Sequence, residues 1–400
     1  MPALMARRVC SGAVVIAVLA AVPAAGQDTR AGSIAAAQAA KAQRLEPYVP
    51  GKAERIAADL KRQFFETPNG FYPWFDSVYS GGGFTLGGGY RHYYGDRTAL
   101  DARGLYSVKQ YTLVELASDA IGISEGRLDL HVVGGWRDAT EVSFYGVGGD
   151  TAADAKSNFR MKQAFAGGAF HGRGPGALVF DVAMTYEDFA LESGKGASPS
   201  IEETYTAETA PGLGDNPAFV HGTWSGGLDT RPSAGYARRG GLYALAYDTY
   251  FDAAGTYTFD RLQAEVVQHV PILRETWVVS LHGVARTTLG DEQTVPYFLL
   301  PALGSGSTLR AYPSWRFRDR HSLLLSGEWR WVPNRMFMDM AIFYDAGKVT
   351  PRREDLNFDG LKQNFGVGVR FHGPLATPLR IDVARGSEGV NVVFSGAAPF

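Results

Sequence analysis

The sequence predicts an all-β protein, a transmembrane antiparallel β-barrel, on three observations. Glycine supplies 49 of the 400 residues and aromatic residues 12%, while charged residues make up only 20%. This composition suits many strands and tight turns, since an average domain has about 25% charged residues. Apolar and polar residues alternate along much of the chain, and beyond the first 26 residues no stretch has the 18 or so apolar residues of a membrane helix. An exported chain of this kind can span a membrane only as a closed barrel.

Residues 1–26 are predicted to be a secretory signal peptide. Arg7 and Arg8 precede the apolar stretch 9–22, and residues 24–26 offer a small-residue cleavage site. We therefore expect export and residence in the outer membrane of a Gram-negative bacterium.

The charge and the cysteine content indicate which partners and which cross-links to expect. The 39 basic residues nearly balance the 41 acidic ones, and no basic run is present, so nucleic acid is not an expected partner. The single cysteine, Cys10, lies in the predicted signal peptide, so no disulfide is expected in the mature chain.

Residues 27–78 are predicted to be a periplasmic linker with a short helix. The alanine-rich part, 27–50, is interpreted as a weak helix or linker. Segment 52–66 has an apolar stripe at helical spacing, formed by Ile56, Leu60 and Phe64. A solvated linker helix, a membrane-surface helix and a plug in the barrel lumen remain alternatives for it.

Residues 79–400 are predicted to form the barrel. In segment 378–384, Leu379, Ile381 and Val383 alternate with Arg380 and Asp382, as expected of a strand with one face toward lipid and one toward the lumen. Short links alternate with long loops, which is the arrangement of outer-membrane barrels. Fourteen strand candidates are counted, with hairpins near 139–146 and 201–210 ambiguous. The candidates start near residues 79, 98, 126, 157, 176, 217, 240, 256, 275, 320, 335, 362, 378 and 389.

No motif supports catalysis or a cofactor. Residues 122–126 match the G-x-S-x-G pattern, but they fall in a predicted turn between strands rather than at the strand-to-helix turn that this chemistry requires. The eight histidines are scattered without metal-ligand spacing. We expect no enzyme, no catalytic residues, no metal and no cofactor. The glycine clusters 81–83 and 87–89 predict a weakly paired first strand and thus a lateral seam.

The long loop 299–318 is apolar and basic, so we predict that it folds into the lumen. It has four large apolar or aromatic residues to bury, namely Leu309, Tyr312, Trp315 and Phe317. Arg310 would then need an anionic partner, because an unpaired guanidinium is costly away from water. The lumen-facing acids of the following strands, Glu328, Asp339 and Asp345, are the candidates.

The last segment ends on an aromatic residue. Val390, Val392 and Phe394 share one face of the predicted strand, and the chain ends at Phe400. This pattern resembles the terminal signal that barrel-assembly machinery recognises, although Pro399 departs from it because proline cannot donate to a sheet.

Five motifs in order resemble the BamA/TamA family of outer-membrane assembly and translocation barrels, the bacterial surface antigen domain. They are L-R-A-Y at 309–312, G-E-W-R-W at 327–331, F-Y-D-A-G-K-V at 343–349, the loop 144–151, and the turn 228–232 with 238–240. The resemblance implies a 16-stranded barrel and a lid-loop clamp in which Arg310 pairs with Asp345, supported by Glu328 and Tyr312. Ala311 stands where the family usually has glycine.

The resemblance implies a role in inserting or translocating protein, or lipid, through a lateral seam and lid loop. The implied partners are outer-membrane lipid and client outer-membrane or secreted proteins. The residues before the first strand show no βααββ pattern, so we expect the family's periplasmic repeats to be absent and a separate periplasmic partner to supply them. The alternatives are a passive pore or structural barrel that has lost client handling, and an outer-membrane enzyme, for which no serine–histidine pair is found.

Overall fold

The computed structural model describes residues 30–44, 69–291, 294–333, 337–373 and 375–400. The predicted signal peptide and the predicted helix 52–66 lie outside these residues. The chain divides into residues 1–59 and 60–400. In the first unit the described part is helix α1, Arg30–Arg44, which the alanine-rich composition favours because alanine has the highest helix propensity. No helix in the described part of the chain is long and apolar enough to cross a membrane.

The second unit is one 16-stranded antiparallel sheet, as the predicted fold class requires. Each strand pairs with the next along the chain, except that β11 pairs with β14 around a separate two-stranded hairpin, β12–β13. The bounds are β1 Gly70–Trp74, β2 Thr85–Gly95, β3 Thr98–Ser107, β4 Thr112–Gly122, β5 Leu128–Phe144, β6 Ser157–Arg173, β7 Leu178–Ser193, β8 Ala218–Asp229, β9 Gly240–Asp252, β10 Phe259–Ile272, β11 Trp277–Leu289, β12 Ala302–Leu303, β13 Phe317–Arg318, β14 His321–Trp331, β15 Met338–Thr350, β16 Lys362–Phe371, β17 Leu379–Gly386 and β18 Gly389–Ser395. Short helical turns lie at Ile201–Thr204 and Arg353–Asp355.

The count of 14 strands missed β1 and β4. The sheet begins at Gly70, before residue 79, and the strand expected near 79 is β2, which starts at Thr85. The tight turn between β3 and β4 has Gln110 at φ 63° where glycine or asparagine is usual, so it carries no turn signal. The ambiguous segments hold no extra hairpin, since 139–144 completes β5 and 201–204 is helical.

The strands present an apolar outer face and a polar inner face. In β10, Leu262 and Val266 are exposed on the outside, whereas the alternate residue His269 is buried inside. Exposed apolar residues on a membrane barrel face lipid. Trp277 and Trp331 are register partners at the short-turn ends of β11 and β14, where interfacial tryptophans are common.

The long-loop end of the lumen is filled by side chains. Residues from the loop after β11 pack against inward-facing aromatic residues of the wall, with Tyr297 placed 4.9 Å from Phe159 and Phe298 placed 5.0 Å from Phe189, ring centre to ring centre. Tyr297, Phe159 and Phe189 are buried in one continuous cluster. An apolar core therefore occupies this end of the lumen.

Candidate functional site: the lid loop and the seam

The segment 299–320, which we call the lid, folds inside the lumen. Its hairpin β12–β13 is stabilised by pairing of Leu303 with Phe317. The apolar lid residues Leu303, Leu309, Tyr312 and Phe317 form a buried cluster with wall residues Leu324, Phe343, Val349 and Ala384. The lid thus lies against the wall formed by β14, β15 and β17.

Arg310 lies at the centre of a buried charge cluster. Its Nε and Nη2 donate to the two carboxylate oxygens of Asp345 at 2.8 and 2.7 Å. Its Nη1 donates to Glu328 at 2.6 Å and to Asp382 at 3.1 Å. The guanidinium carbon also lies 3.5 Å from the centre of the Phe343 ring. Bidentate contacts of this kind fix both position and orientation.

Two further arginines balance the cluster. Arg370 donates to Glu328, and Arg380 lies 3.3 Å from Asp382. The three arginines then face three carboxylates, those of Glu328, Asp345 and Asp382, so the buried group is formally neutral. A neutral buried cluster avoids the large cost of an unpaired charge.

The structure brings together Arg310, Glu328 and Asp345, which were singled out in the sequence, and it adds Asp382 to them. Asp382 was not considered as a partner, although its alternation with Ile381 and Val383 places it on the inner face. Asp339, considered as a candidate, does not reach Arg310. It accepts a hydrogen bond from Tyr236 at 2.8 Å instead.

One side of the lid contacts the first strands. Trp315 donates its indole N–H to the carbonyl of Ser80 at 2.9 Å and stacks on Tyr79 with ring centres 4.9 Å apart. The hydroxyls of Ser80 and Ser314 are 3.2 Å apart. Tyr79 and Ser80 belong to the loop between β1 and β2, so the lid is joined to that edge.

The other side of the lid contacts the last strands. Arg316 binds both carboxylate oxygens of Glu388 at 2.9 Å, and Glu388 lies in the turn between β17 and β18. The hydroxyls of Tyr312 and Ser387 are 3.0 Å apart in the same turn. Asn391, on β18 itself, donates to the carbonyl of Arg310 at 2.8 Å.

Between these two contacts lies a seam. Strands β1 and β18 are the two ends of the sheet order, and they are not paired with each other in the part of the chain that the structure describes. β1 has five residues and β18 seven, whereas β5 and β6 have 17 each. Pro73 lies in β1, and proline within a sheet is confined to edges because it cannot donate. The prediction that the glycine-rich strand is the first strand of the sheet is wrong, because the cluster 87–89 lies on β2 and β1 is the edge strand. A side chain at Gly89 would collide with the ring of Tyr72 on β1.

The loop 144–151 also supports the lid. The amide of Gly148 donates to the carbonyl of Arg318 at 2.7 Å, and Arg316 donates to the hydroxyl of Thr151 at 2.8 Å. Lys362 donates to Asp150 at 2.9 Å, and this hydrogen bond lowers the pKa of the exposed Asp150 carboxyl. The sequence pointed to this loop only through the family resemblance.

The residues of the proposed terminal signal lie in two different places. Val392 and Phe394 are exposed on the outer face of β18. β18 ends at Ser395, and Phe400 lies beyond it with its ring 4.8 Å from the inward-facing His282. Phe400 is therefore not on the outer face with the other two.

The remaining candidate of the sequence analysis, the G-x-S-x-G match, lies in a turn. Residues 122–126 occupy a turn between β4 and β5 in which Ser124 and Glu125 have positive φ angles. Among the residues that the structure describes, no group of three or more His, Cys, Asp or Glu side chains could hold a metal ion.

Comparison with solved structures gives the fold. BamA from Haemophilus ducreyi lacking POTRA domains 1–3 matches 82% of this chain and 70% of its own length, with 13% identity and a TM-score of 0.59. CdiB from Acinetobacter baumannii matches 78% of this chain and 55% of its own, with 10% identity and a TM-score of 0.49. No family model and no curated protein matches the sequence. The chain therefore has the fold of the BamA barrel.

Proposed function

We propose that this chain is an outer-membrane barrel that assists the insertion or translocation of protein clients through the seam between β1 and β18. The observation that carries the proposal is the lid, which contacts both borders of an unpaired seam. An exposed strand edge templates pairing with another chain. A barrel with two such edges, both contacted by a lid inside the lumen, has the parts needed to open and close its seam to a client strand.

The mechanism requires no covalent chemistry. With the lid in place, Ser80 and Glu388 are held to the same segment, and the two edges stay close to it. Release of the contact with Ser80 would allow β1 to move away from β18, while the Arg310 cluster keeps the lid on the wall formed by β14, β15 and β17. A client strand would then add to the free edge by main-chain hydrogen bonding.

A passive pore is disfavoured by the filled lumen. The aromatic cluster at the long-loop end and the lid cluster beside it occupy space that an open channel would need. A purely structural barrel has no use for short, unpaired edges, since such edges are an aggregation liability. The likeness to BamA favours a client-handling role, with lipid as the alternative cargo, and a separate periplasmic protein would deliver the clients.

The test is a disulfide that fixes the lid to one border of the seam. Ser80→Cys with Ser314→Cys suits this purpose because the two hydroxyls are 3.2 Å apart. Cys10 is replaced by serine in every variant. The barrel is placed in liposomes, and the folding yield of an unfolded outer-membrane barrel client is measured with the pair oxidised and after reduction. The single variants Ser80→Cys and Ser314→Cys serve as matched controls.

We expect oxidation to stop client folding and reduction to restore it, with the single variants unaffected. Equal yields in the oxidised and reduced states would refute a mobile lid. If the wild-type barrel gives no more folded client than empty liposomes, client insertion itself is wrong, and the structural role takes its place.

A further inference from the structure

The turn 230–239, between β8 and β9, crosses the short-turn end of the lumen. Tyr236 is buried and donates its hydroxyl to Asp339 of β15 at 2.8 Å. The hydroxyl of Ser233 donates to the carbonyl of Leu375, in the turn between β16 and β17, at 2.6 Å. The turn is thus anchored on strands far from its own in the sheet order.

A pocket of about 280 Å³ lies beside this turn. One wall is aromatic, because Tyr236 stacks on His372 with ring centres 4.0 Å apart and Phe337 packs 6.3 Å from His372. Nε2 of His372 is 3.1 Å from Asp339, which also accepts the hydrogen bond from Tyr236. Burial raises the pKa of the Tyr236 phenol, so its proton stays available for that bond. These contacts within the protein hold the wall in place, so the wall does not need a ligand in order to form.

The pocket has a net positive charge, and part of this charge is not paired with a protein group among the residues described. Arg238 donates its Nε to the Tyr236 hydroxyl at 3.0 Å, which fixes the guanidinium. Within the described part of the chain, no hydrogen bond or ion pair joins the terminal nitrogens of Arg238 or the Arg239 guanidinium to another residue, although the Arg238 guanidinium also lies over the Tyr236 ring. Glu275 is the acidic side chain of the lining, so two arginines outweigh one carboxylate. Free guanidinium edges of this geometry match the paired oxygens of a phosphate group.

We propose that this pocket binds the phosphate group of a phospholipid from the adjacent membrane leaflet. Three neighbouring short turns each expose a large apolar side chain, with Leu273 70%, Phe337 68% and Leu375 68% accessible. Turn residues of this kind insert among lipids, and Trp277 and Trp331 lie at the same strand ends. The pocket thus lies at the level of the membrane interface, where lipid phosphates are concentrated, which favours a lipid over a soluble phosphate. The proposal rests on the membrane location of the barrel, which is part of the function proposed above, and not on client handling.

The experiment compares Arg239→Gln and Arg238→Gln with wild type and with Arg274→Gln. Arg274 lies in the turn between β10 and β11 but does not line the pocket, so its variant controls for general charge. Each full-length protein is purified in non-ionic detergent and titrated with short-chain phosphatidylglycerol, and bound lipid is counted by native mass spectrometry. Inorganic phosphate is titrated in parallel as the soluble source.

We expect each pocket variant to weaken lipid binding about tenfold or more, since a charge-assisted hydrogen bond is lost with each arginine, while Arg274→Gln behaves as wild type. Arg239→Gln keeps the test valid if Arg238→Gln misfolds, because Arg239 is exposed and has no hydrogen bond or ion pair to the residues that the structure describes. Equal binding in all four proteins overturns the proposal. Inorganic phosphate that binds as tightly as the lipid and displaces it overturns the assignment to phospholipid.

Discussion

Replacing Arg310 by alanine tests whether the lid is held by the buried charge cluster. The change removes four hydrogen bonds, two to Asp345 and one each to Glu328 and Asp382. All three carboxylates are buried, and of the three arginines of the cluster Arg370 and Arg380 remain to compensate them. The cluster changes from neutral to one net negative charge.

The expected loss follows from this imbalance. Two unit charges about 4 Å apart interact by about 4 kcal/mol at the effective dielectric constant of protein sites. Removing one partner of a buried ion pair typically costs about 3–5 kcal/mol, because the remaining charge is left uncompensated. We expect Arg310→Ala to lower the free energy of unfolding by that amount, which is a large share of the stability of an ordinary domain.

The assay is urea unfolding in detergent micelles, followed by the heat-dependent shift of the folded band on gels. Arg352→Ala is the matched control, because Arg352 is an exposed arginine whose partner Asp355 lies three residues away. It should leave the midpoint nearly unchanged. Arg310→Ala combined with Asp345→Asn should recover at least about 1 kcal/mol, since one orphaned charge is removed. An Arg310→Ala midpoint equal to that of wild type would refute the clamp.

Three further changes test the seam and its contacts. Trp315→Ala removes the hydrogen bond to Ser80 and should raise amide hydrogen exchange in the loop before β2 at least tenfold; unchanged exchange there would contradict the contact. Asn391→Ala removes the hydrogen bond to the carbonyl of Arg310 and should lower the free energy of unfolding by about 1 kcal/mol, measured by urea titration. An unchanged free energy of unfolding would show that β18 is not joined to the lid. Phe394→Ser removes an apolar side chain from the lipid face and should cost about 1.5–3 kcal/mol; a stability equal to wild type in liposomes would show that this face does not meet lipid.

The sequence by itself determined the fold class and the position of the lid. Alternation of apolar and polar residues is local, so it identifies strands and their two faces without any knowledge of pairing. The sorting of short and long links identified the two ends of the barrel. The requirement that Arg310 find an anion followed from its place in an apolar loop, and Glu328 and Asp345 were within the set that the inner-face pattern offered.

Only the tertiary structure decided which acids surround Arg310 and what the lid touches. Asp382 is 72 residues from Arg310, and Ser80 is 235 from Trp315. No local pattern encodes such pairs, because they depend on how the rolled sheet places its ends beside the lid. Strand β1 was missed because its five residues hold too few alternations to be recognised locally. It forms a strand because it pairs with the edge of β2, which is again a contact that the local pattern does not encode.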